Sequence, residues 1–391
     1  MVVMSVLLLI VGLVLFVGLV VLHEFGHFIA ARRNGVEVEE FGIGFPPRAW
    51  ARKTKRGFLF SLNWLPVGGF VRLKGEHDAA TAAGSLGAAR FSVKTKVMLA
   101  GVGMNLLAAF VIFTVLGWVG MPQLIDNQFS IKRDTKVVHN EVLVGYVGAG
   151  SPAEKAGLKT RDQLLSIQPD GPSFYVDTMP KATLHTPQGD VEYVTDVVSS
   201  ASLPSITKDL AGQRVQIIYV RGGTPHITVA QLRAGADAAK NGALGISPAD
   251  YTLTRSTWSA PVQALGLLWQ FTAATFQGIA TALSALFHGD TATASQQVSG
   301  PVGIVVVLHN GSLLGYQFVL LIVGVISLSL AIMNVLPIPA LDGGRFYVLL
   351  FSRIFGKKLS RGLEERIVSS SFVFLLLLIL LITVVDVKRI F

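Results

Sequence analysis

The chain contains no cysteine. In 391 residues that absence excludes every disulfide and every thiolate metal site, so a bound metal must rest on His, Asp or Glu. Charge is scarce too. Asp, Glu, Lys and Arg supply 15% of the residues, against about 25% in an ordinary soluble chain. Hydrophobic residues reach 51%, which makes membrane segments the first expectation. Acids are outnumbered by bases, giving a net charge of +9. Nucleic acid is not the partner this implies, because basic residues beside apolar spans are normal for a membrane protein. Internal repeats and low-complexity tracts are absent.

What is present is four long apolar stretches, at about Val2–Ala31, Val97–Val119, Leu313–Leu336 and Phe372–Val385. The first exceeds the roughly 20 residues that a span needs, and has neither a basic start nor an A-x-A cleavage site. It is expected to remain in the mature protein. Between the first two stretches lie Arg32, Arg33, Arg48, Arg52, Lys53, Lys55 and Arg56, among other bases. After the third come Arg345, Arg353 and Arg366. Both loops therefore read as cytoplasmic, and the segment of about 121–312 and both termini read as extracytoplasmic.

The outer segment mixes strand-like runs, EVLVGYVG and RVQIIYV, with SPAEKAGL, where Ser151 and Pro152 suit a helix N-cap and first position. It reads as one small module. Residues 36–75 show strand-like alternation with Gly and Pro punctuation, the pattern of hairpins. Placed between two spans, they are expected to associate with the membrane, where an exposed edge could pair with an extended peptide. The fold expected is an α-helical polytopic membrane protein. It has about four transmembrane helices, a membrane-associated β-hairpin region and one extracytoplasmic module. The expected divisions are 1–120, 121–250, a linker or amphipathic segment at 251–312, and 313–391.

Chemistry concentrates in LHEFGH, inside the first apolar stretch. His23 and His27 are four apart and share one face of a helix, so two imidazoles can bind one metal. Glu24 follows the first and can act as general base toward a water that the metal activates. Neutral imidazoles suit Zn²⁺ better than a hard, oxygen-preferring ion. Ionisable groups at membrane depth cost roughly 2.5 kcal/mol or more each and mark function by default. A catalytic zinc usually takes three protein ligands. The best candidate for the third is Asp342 in NVLPIPALDGGR, where prolines and glycines interrupt the helix after the third span.

HEFGH together with NVLPIPALDGG resembles the site-2 protease family of intramembrane zinc metalloproteases, especially bacterial members similar to the sigma-E-regulating protease. His23, Glu24, His27, Asn334, Pro337, Pro339, Leu341, Asp342 and Gly343 match the family pattern. PVGGFVRLKG resembles the family's membrane-associated β-loop, and GVGMN its second-span motif. GYVGAGSPAEKAGLKTRDQLLSI resembles a PDZ module, although the family's usual Gly-Asp is Arg161 and Asp162 here.

The resemblance implies one zinc per chain on His23, His27 and Asp342, with Glu24 activating water. It implies that Asn334 and Asn105 help position the substrate backbone, and that the loop at Gly68 and Gly69 pairs with an unwound substrate. A lone Asn in a span also serves as helix-packing glue, so Asn105 keeps that alternative. The implied activity is hydrolysis of a peptide bond in or near the membrane segment of single-span proteins such as anti-sigma factors, in the bacterial inner membrane. The active site would lie toward the cytoplasm. A catalytically inactive zinc-binding scaffold with a PDZ module is the alternative, which the intact Glu24 disfavours. A metal permease is disfavoured by four spans without a repeat.

Overall fold

The computed structural model describes residues 2–76, 80–125, 127–170, 181–186, 189–194, 197, 199–356 and 360–390. In chain order the elements are α1 (Val2–Arg33), β1 (Val38–Lys53), β2 (Leu59–Leu73), α2 (Phe91–Val119), β3 (Met121–Pro122), β4 (Lys136–Val147), α3 (Pro152–Lys155) and β5 (Gln163–Pro169). There follow β6 (Lys181–Thr186), β7 (Gly189–Val194), α4 (Leu203–Asp209), β8 (Arg214–Arg221), β9 (Thr224–Gln231), α5 (Gly235–Asn241) and β10 (Ile246–Arg255). The chain ends with α6 (Ala260–Phe287), α7 (Thr291–Gln296), α8 (Pro301–Leu314), α9 (Tyr316–Val335), α10 (Asp342–Ile354) and α11 (Arg361–Ile390). Two compact units result. One comprises 122–126 and 136–255, and the other 2–121, 127–135 and 256–391.

Among the described residues, the helical unit holds four helices long and apolar enough to cross a membrane, at Val3–Arg33, Phe91–Val119, Tyr316–Val335 and Gly362–Lys388. The second and fourth begin earlier than the apolar stretches suggest. Helical hydrogen bonding carries the backbone on through Lys94 and Lys96 in α2, and through Glu364 and Arg366 in α11. Leu19, Leu308, Val319 and Val323 form a buried cluster joining α1, α8 and α9. The stretch expected as a linker or amphipathic segment is largely helical. Its helix α6 buries Ala260, Ala264, Leu267 and Phe271, one face at helical spacing, and exposes Leu265, Trp269 and Phe276.

The strands β1 and β2 form one sheet with several register shifts. Glu40, Phe41, Gly42 and Ile43 each have two cross-strand partners, one within 59–62 and one within 69–72. The segment 69–73 thus pairs with β1 on one side only. A buried carboxylate organises the sheet. Glu40 is 2% exposed and accepts from Arg48 Nε at 3.0 Å, Arg48 Nη2 at 2.6 Å and Ser61 Oγ at 2.8 Å. Burial by itself would push the Glu40 carboxyl up. The bonds from Arg48 and Ser61 outweigh that and hold it below the ordinary carboxylate range.

In the other unit the strands β10, β4, β5, β8 and β9 follow one another in hydrogen-bonded order. Their core gathers Val142, Val144, Leu164, Ile167, Val215, Ile217 and Leu244. Ser151 caps α3, its hydroxyl accepting from Glu154 N at 3.1 Å with Pro152 in the first turn. Arg161 sits at φ +76, in the left-handed region that glycine adopts without strain. Of the irregular stretch 168–196, residues 171–180, 187–188 and 195–196 lie outside the described residues.

Candidate metal centre and active site

α1 carries His23 and His27 one turn apart, and both rings are buried, at 8% and 7% exposure. The third group arrives from far along the chain. After α9 the backbone turns through Leu336–Leu341, closed by Ile338 N to Leu336 O at 2.8 Å and Leu341 N to Ile338 O at 2.8 Å. α10 then starts at Asp342. A side chain at Gly343 would run into the Val335 carbonyl, and one at Gly344 into the Ile338 carbonyl. Only glycines let α10 fold back so tightly on the turn, which explains the residue pair behind Asp342. Arg345, one turn into α10, pairs with Glu76 beyond β2 at 3.3 Å.

These constraints bring His23 Nε2, His27 Nε2 and Asp342 Oδ2 together. The three separations are 2.9 Å (His23 to Asp342), 3.1 Å (His27 to Asp342) and 3.2 Å (His23 to His27). In a tetrahedral zinc site with bonds of about 2.0–2.1 Å, ligand atoms stand roughly 3.3 Å apart. The triangle lies within a few tenths of an ångström of one such face. His27 Nδ1 lies 2.7 Å from the Val97 carbonyl. A carbonyl only accepts, so Nδ1 carries the proton and Nε2 turns its lone pair to the triangle, as a metal requires. The donor set of two imidazole nitrogens and one carboxylate oxygen fits Zn²⁺. Among the described residues, His23, His27 and Asp342 are the group of His, Asp and Glu whose ligand atoms converge in this way.

Glu24 faces the hairpin. Its Oε2 accepts from the backbone N–H of Val71 at 3.1 Å. Two positions on, Leu73 N donates to Glu76 Oε1 at 2.9 Å. The outward amides of the edge segment therefore end on carboxylates rather than on another strand. Gly69 packs against the same turn of α1, because a Cβ there would meet Val21 at 3.5 Å and Glu24 Cγ at 3.8 Å. Gly68, at φ +87, neighbours Val20 and Phe45. Asn105 is fully buried, with its amide 3.3 Å from His23 Nδ1. Asn334 Nδ2 donates to the Leu330 carbonyl of its own helix at 2.9 Å.

Sequence reasoning gave no role to Val97, Gly101, the Val71 amide, or the Arg345–Glu76 pair, and Gly101 entered only as part of GVGMN. For the first two a signal existed. Val97, Gly101 and Asn105 recur every four residues, so once Asn105 is singled out the same face of α2 points to the others.

Comparison with known proteins agrees with this geometry. The sequence profile described as "Peptidase family M50" matches residues 11–378. A Clostridium acetobutylicum protein named as a zinc metalloprotease is 28% identical over 97% of this chain and 96% of its own length. One from Clostridium perfringens, similarly named, is 28% identical over 96% of this chain and 97% of its own. An Enterococcus faecalis protein named as the protease Eep is 24% identical over 95% and 97%. With near-complete coverage by the profile and by these relatives, the chain belongs to peptidase family M50, the site-2 protease family of membrane zinc metalloproteases.

Proposed function

We propose that the protein hydrolyses a peptide bond within or near the membrane segment of single-span membrane proteins, anti-sigma factors among them, as a step of regulated intramembrane proteolysis. The observation that carries this reading is the triangle of His23, His27 and Asp342 beside Glu24, itself bonded to a sheet edge. His23, His27 and Asp342 would hold one Zn²⁺ per chain, with the fourth position left open. Bound there, zinc supplies Lewis acidity, polarising the scissile carbonyl and lowering the pKa of water.

Glu24 takes a proton from the attacking water and later delivers it to the leaving amine. A helical substrate hides its carbonyls in its own hydrogen bonds, so it must unwind before cleavage. The edge segment beginning at Gly68 and Gly69 pairs with β1 on one side only, and it would receive the unwound stretch as an added strand by exchanging the bonds from Val71 N to Glu24 and from Leu73 N to Glu76 for bonds to the substrate. Asn334, eight residues before Asp342, would help orient the substrate backbone.

The charge pattern supports a bacterial inner-membrane orientation with the active site toward the cytoplasm. His27 lies within two turns of Arg32 and Arg33 at the basic end of α1. The unit of 136–255, with its capped SPAEK turn, supports a PDZ-like module, acting as a size filter or a reader of trimmed substrate ends, and the charge pattern along the sequence favours an extracytoplasmic place for it.

The test is made on full-length protein in detergent. Wild type is expected to hold one zinc and to cleave a panel of single-span substrates. Glu24→Gln keeps zinc and loses cleavage, and His23→Ala loses both. Equal cleavage by wild type and Glu24→Gln would refute the catalytic role and favour a zinc-binding scaffold.

A further inference from the structure

The face of α2 packed behind the metal triangle carries Val97, Gly101 and Asn105, all buried. Its two ends serve the two histidines alike. Val97 offers its backbone carbonyl to His27 Nδ1 at 2.7 Å, and Asn105 brings its side-chain amide to His23 Nδ1 at 3.3 Å. We propose that Asn105 is a positioning residue for the ligand His23: its amide oxygen accepts the Nδ1–H of His23 and so holds the tautomer that presents Nε2 to zinc. The proposal rests on the zinc reading above.

Proton placement on the imidazole decides which nitrogen can bind the metal. A neutral imidazole carries one N–H. If Nε2 binds the metal, Nδ1 must hold that proton and needs an acceptor, since a buried donor without one is costly. The amide is the neighbour placed to supply it. In the structure it is Nδ2 that faces His23 Nδ1 at 3.3 Å, and in that orientation the amide donates instead. That forces the proton onto Nε2 and removes the lone pair a metal needs. In that orientation Oδ1 is also buried without a partner. The two ends of an amide have nearly the same size, so a half-turn exchanges them in the same space and brings the oxygen to Nδ1.

The backbone beneath is anchored, because the Asn105 carbonyl accepts from the buried Ser327 Oγ of α9 at 2.8 Å. Asn105 is 0% exposed, which suits contact with a ligand ring better than contact with an incoming substrate. The two amide orientations therefore correspond to a metal-accepting and a metal-refusing state of the same site.

The experiment compares full-length wild type, Asn105→Leu and Asn105→Asp in detergent. Zinc Kd is measured by competition with a chromophoric chelator, and the Tm of each metal-free protein is recorded beside it. Leucine keeps the volume and lacks the acceptor, so zinc affinity should fall about 10- to 100-fold, the usual cost of losing an outer partner of a ligating histidine. Aspartate is an acceptor only, so Asn105→Asp should bind zinc at least as tightly as wild type. Failure of wild type to bind zinc would undo the metal reading itself.

With wild type binding, an unchanged Kd in Asn105→Leu would overturn the inference alone. Lost cleavage at saturating zinc with that unchanged Kd would assign the side chain to the substrate. If Asn105→Leu does not fold, Asn105→Asp decides: a loss of tenfold or more there refutes the acceptor role.

Discussion

Replacing Gly101 by alanine would set a methyl carbon 2.5 Å from His27 Nε2 and 2.6 Å from His23 Nε2. Ordinary contact begins near 3.4 Å, so both imidazoles would have to withdraw by roughly 0.8–0.9 Å or α2 would have to move by as much. Neither escape is easy. The rings are pinned through Nδ1, and the backbone of α2 is held by Ser327. A metal site tolerates displacements of about 0.2 Å in its ligand distances, several times less than this. Overpacking of this kind costs about 1–3 kcal/mol of stability, which the fold should survive.

The expected outcome is a folded, membrane-extracted protein with a Tm a few degrees below wild type and substoichiometric zinc after dialysis. Cleavage should be lost in proportion to the zinc. The assay is metal content by mass spectrometry on the purified protein, with cleavage of a single-span substrate on the same sample. Stoichiometric zinc and wild-type cleavage in Gly101→Ala would refute the claim that α2 closes against the ligand nitrogens.

Other perturbations test separate parts of the molecule. Glu40 is held in its charged form by Arg48 and Ser61, so the unfolded chain binds the extra proton in acid. Its contribution to stability should be whole above the ordinary glutamate range, near pH 4.5, and fade as pH falls below it. Thermal unfolding from pH 7 to 3 should therefore show a weaker acid dependence in Glu40→Gln than in wild type; parallel curves would refute this. Arg161→Gly removes a side chain from a left-handed position and should stabilise its unit by about 1 kcal/mol, read as a raised Tm; no rise would argue that the Arg161 side chain compensates its own strain.

Asp386, 4% exposed in α11, accepts from Gly300 N at 2.9 Å and Gly303 N at 2.8 Å at the start of α8. Asp386→Ala leaves those two amides without their acceptor and should cost about 3 kcal/mol, measured by chemical unfolding in detergent. A loss under about 0.5 kcal/mol would show that other groups replace it.

Much of the site was legible because part of it is local. His23, Glu24 and His27 occupy a single helical turn, where spacing alone dictates a shared face. Composition exposed the four apolar helices for a similar reason: a span must satisfy its own backbone and present hydrocarbon, and both demands are written residue by residue. The hairpin region was visible as alternation, but its doubled register was not. Pairing of Glu40–Ile43 with two segments at once depends on bulges that no alternation pattern encodes. The resemblance named Asn334 and Asn105 alike as substrate-positioning groups, yet one donates to a carbonyl of its own helix and the other meets a histidine ring.

By itself the sequence determined the chemistry available to this protein: no thiolate, two imidazoles on one helix face, a carboxylate beside them, and helices that belong in hydrocarbon. Only the tertiary structure decided that Asp342, 315 residues from His27, completes the triangle, that Val97 and Asn105 back the two histidines, and that Glu24 faces the edge of the hairpin. The physical reason is range. Hydrogen-bond period and hydropathy act over a few residues and are readable in order along the chain. The meeting of α1, α2 and α10 is set by side-chain packing and by glycines whose missing Cβ atoms matter only once another element lies against them.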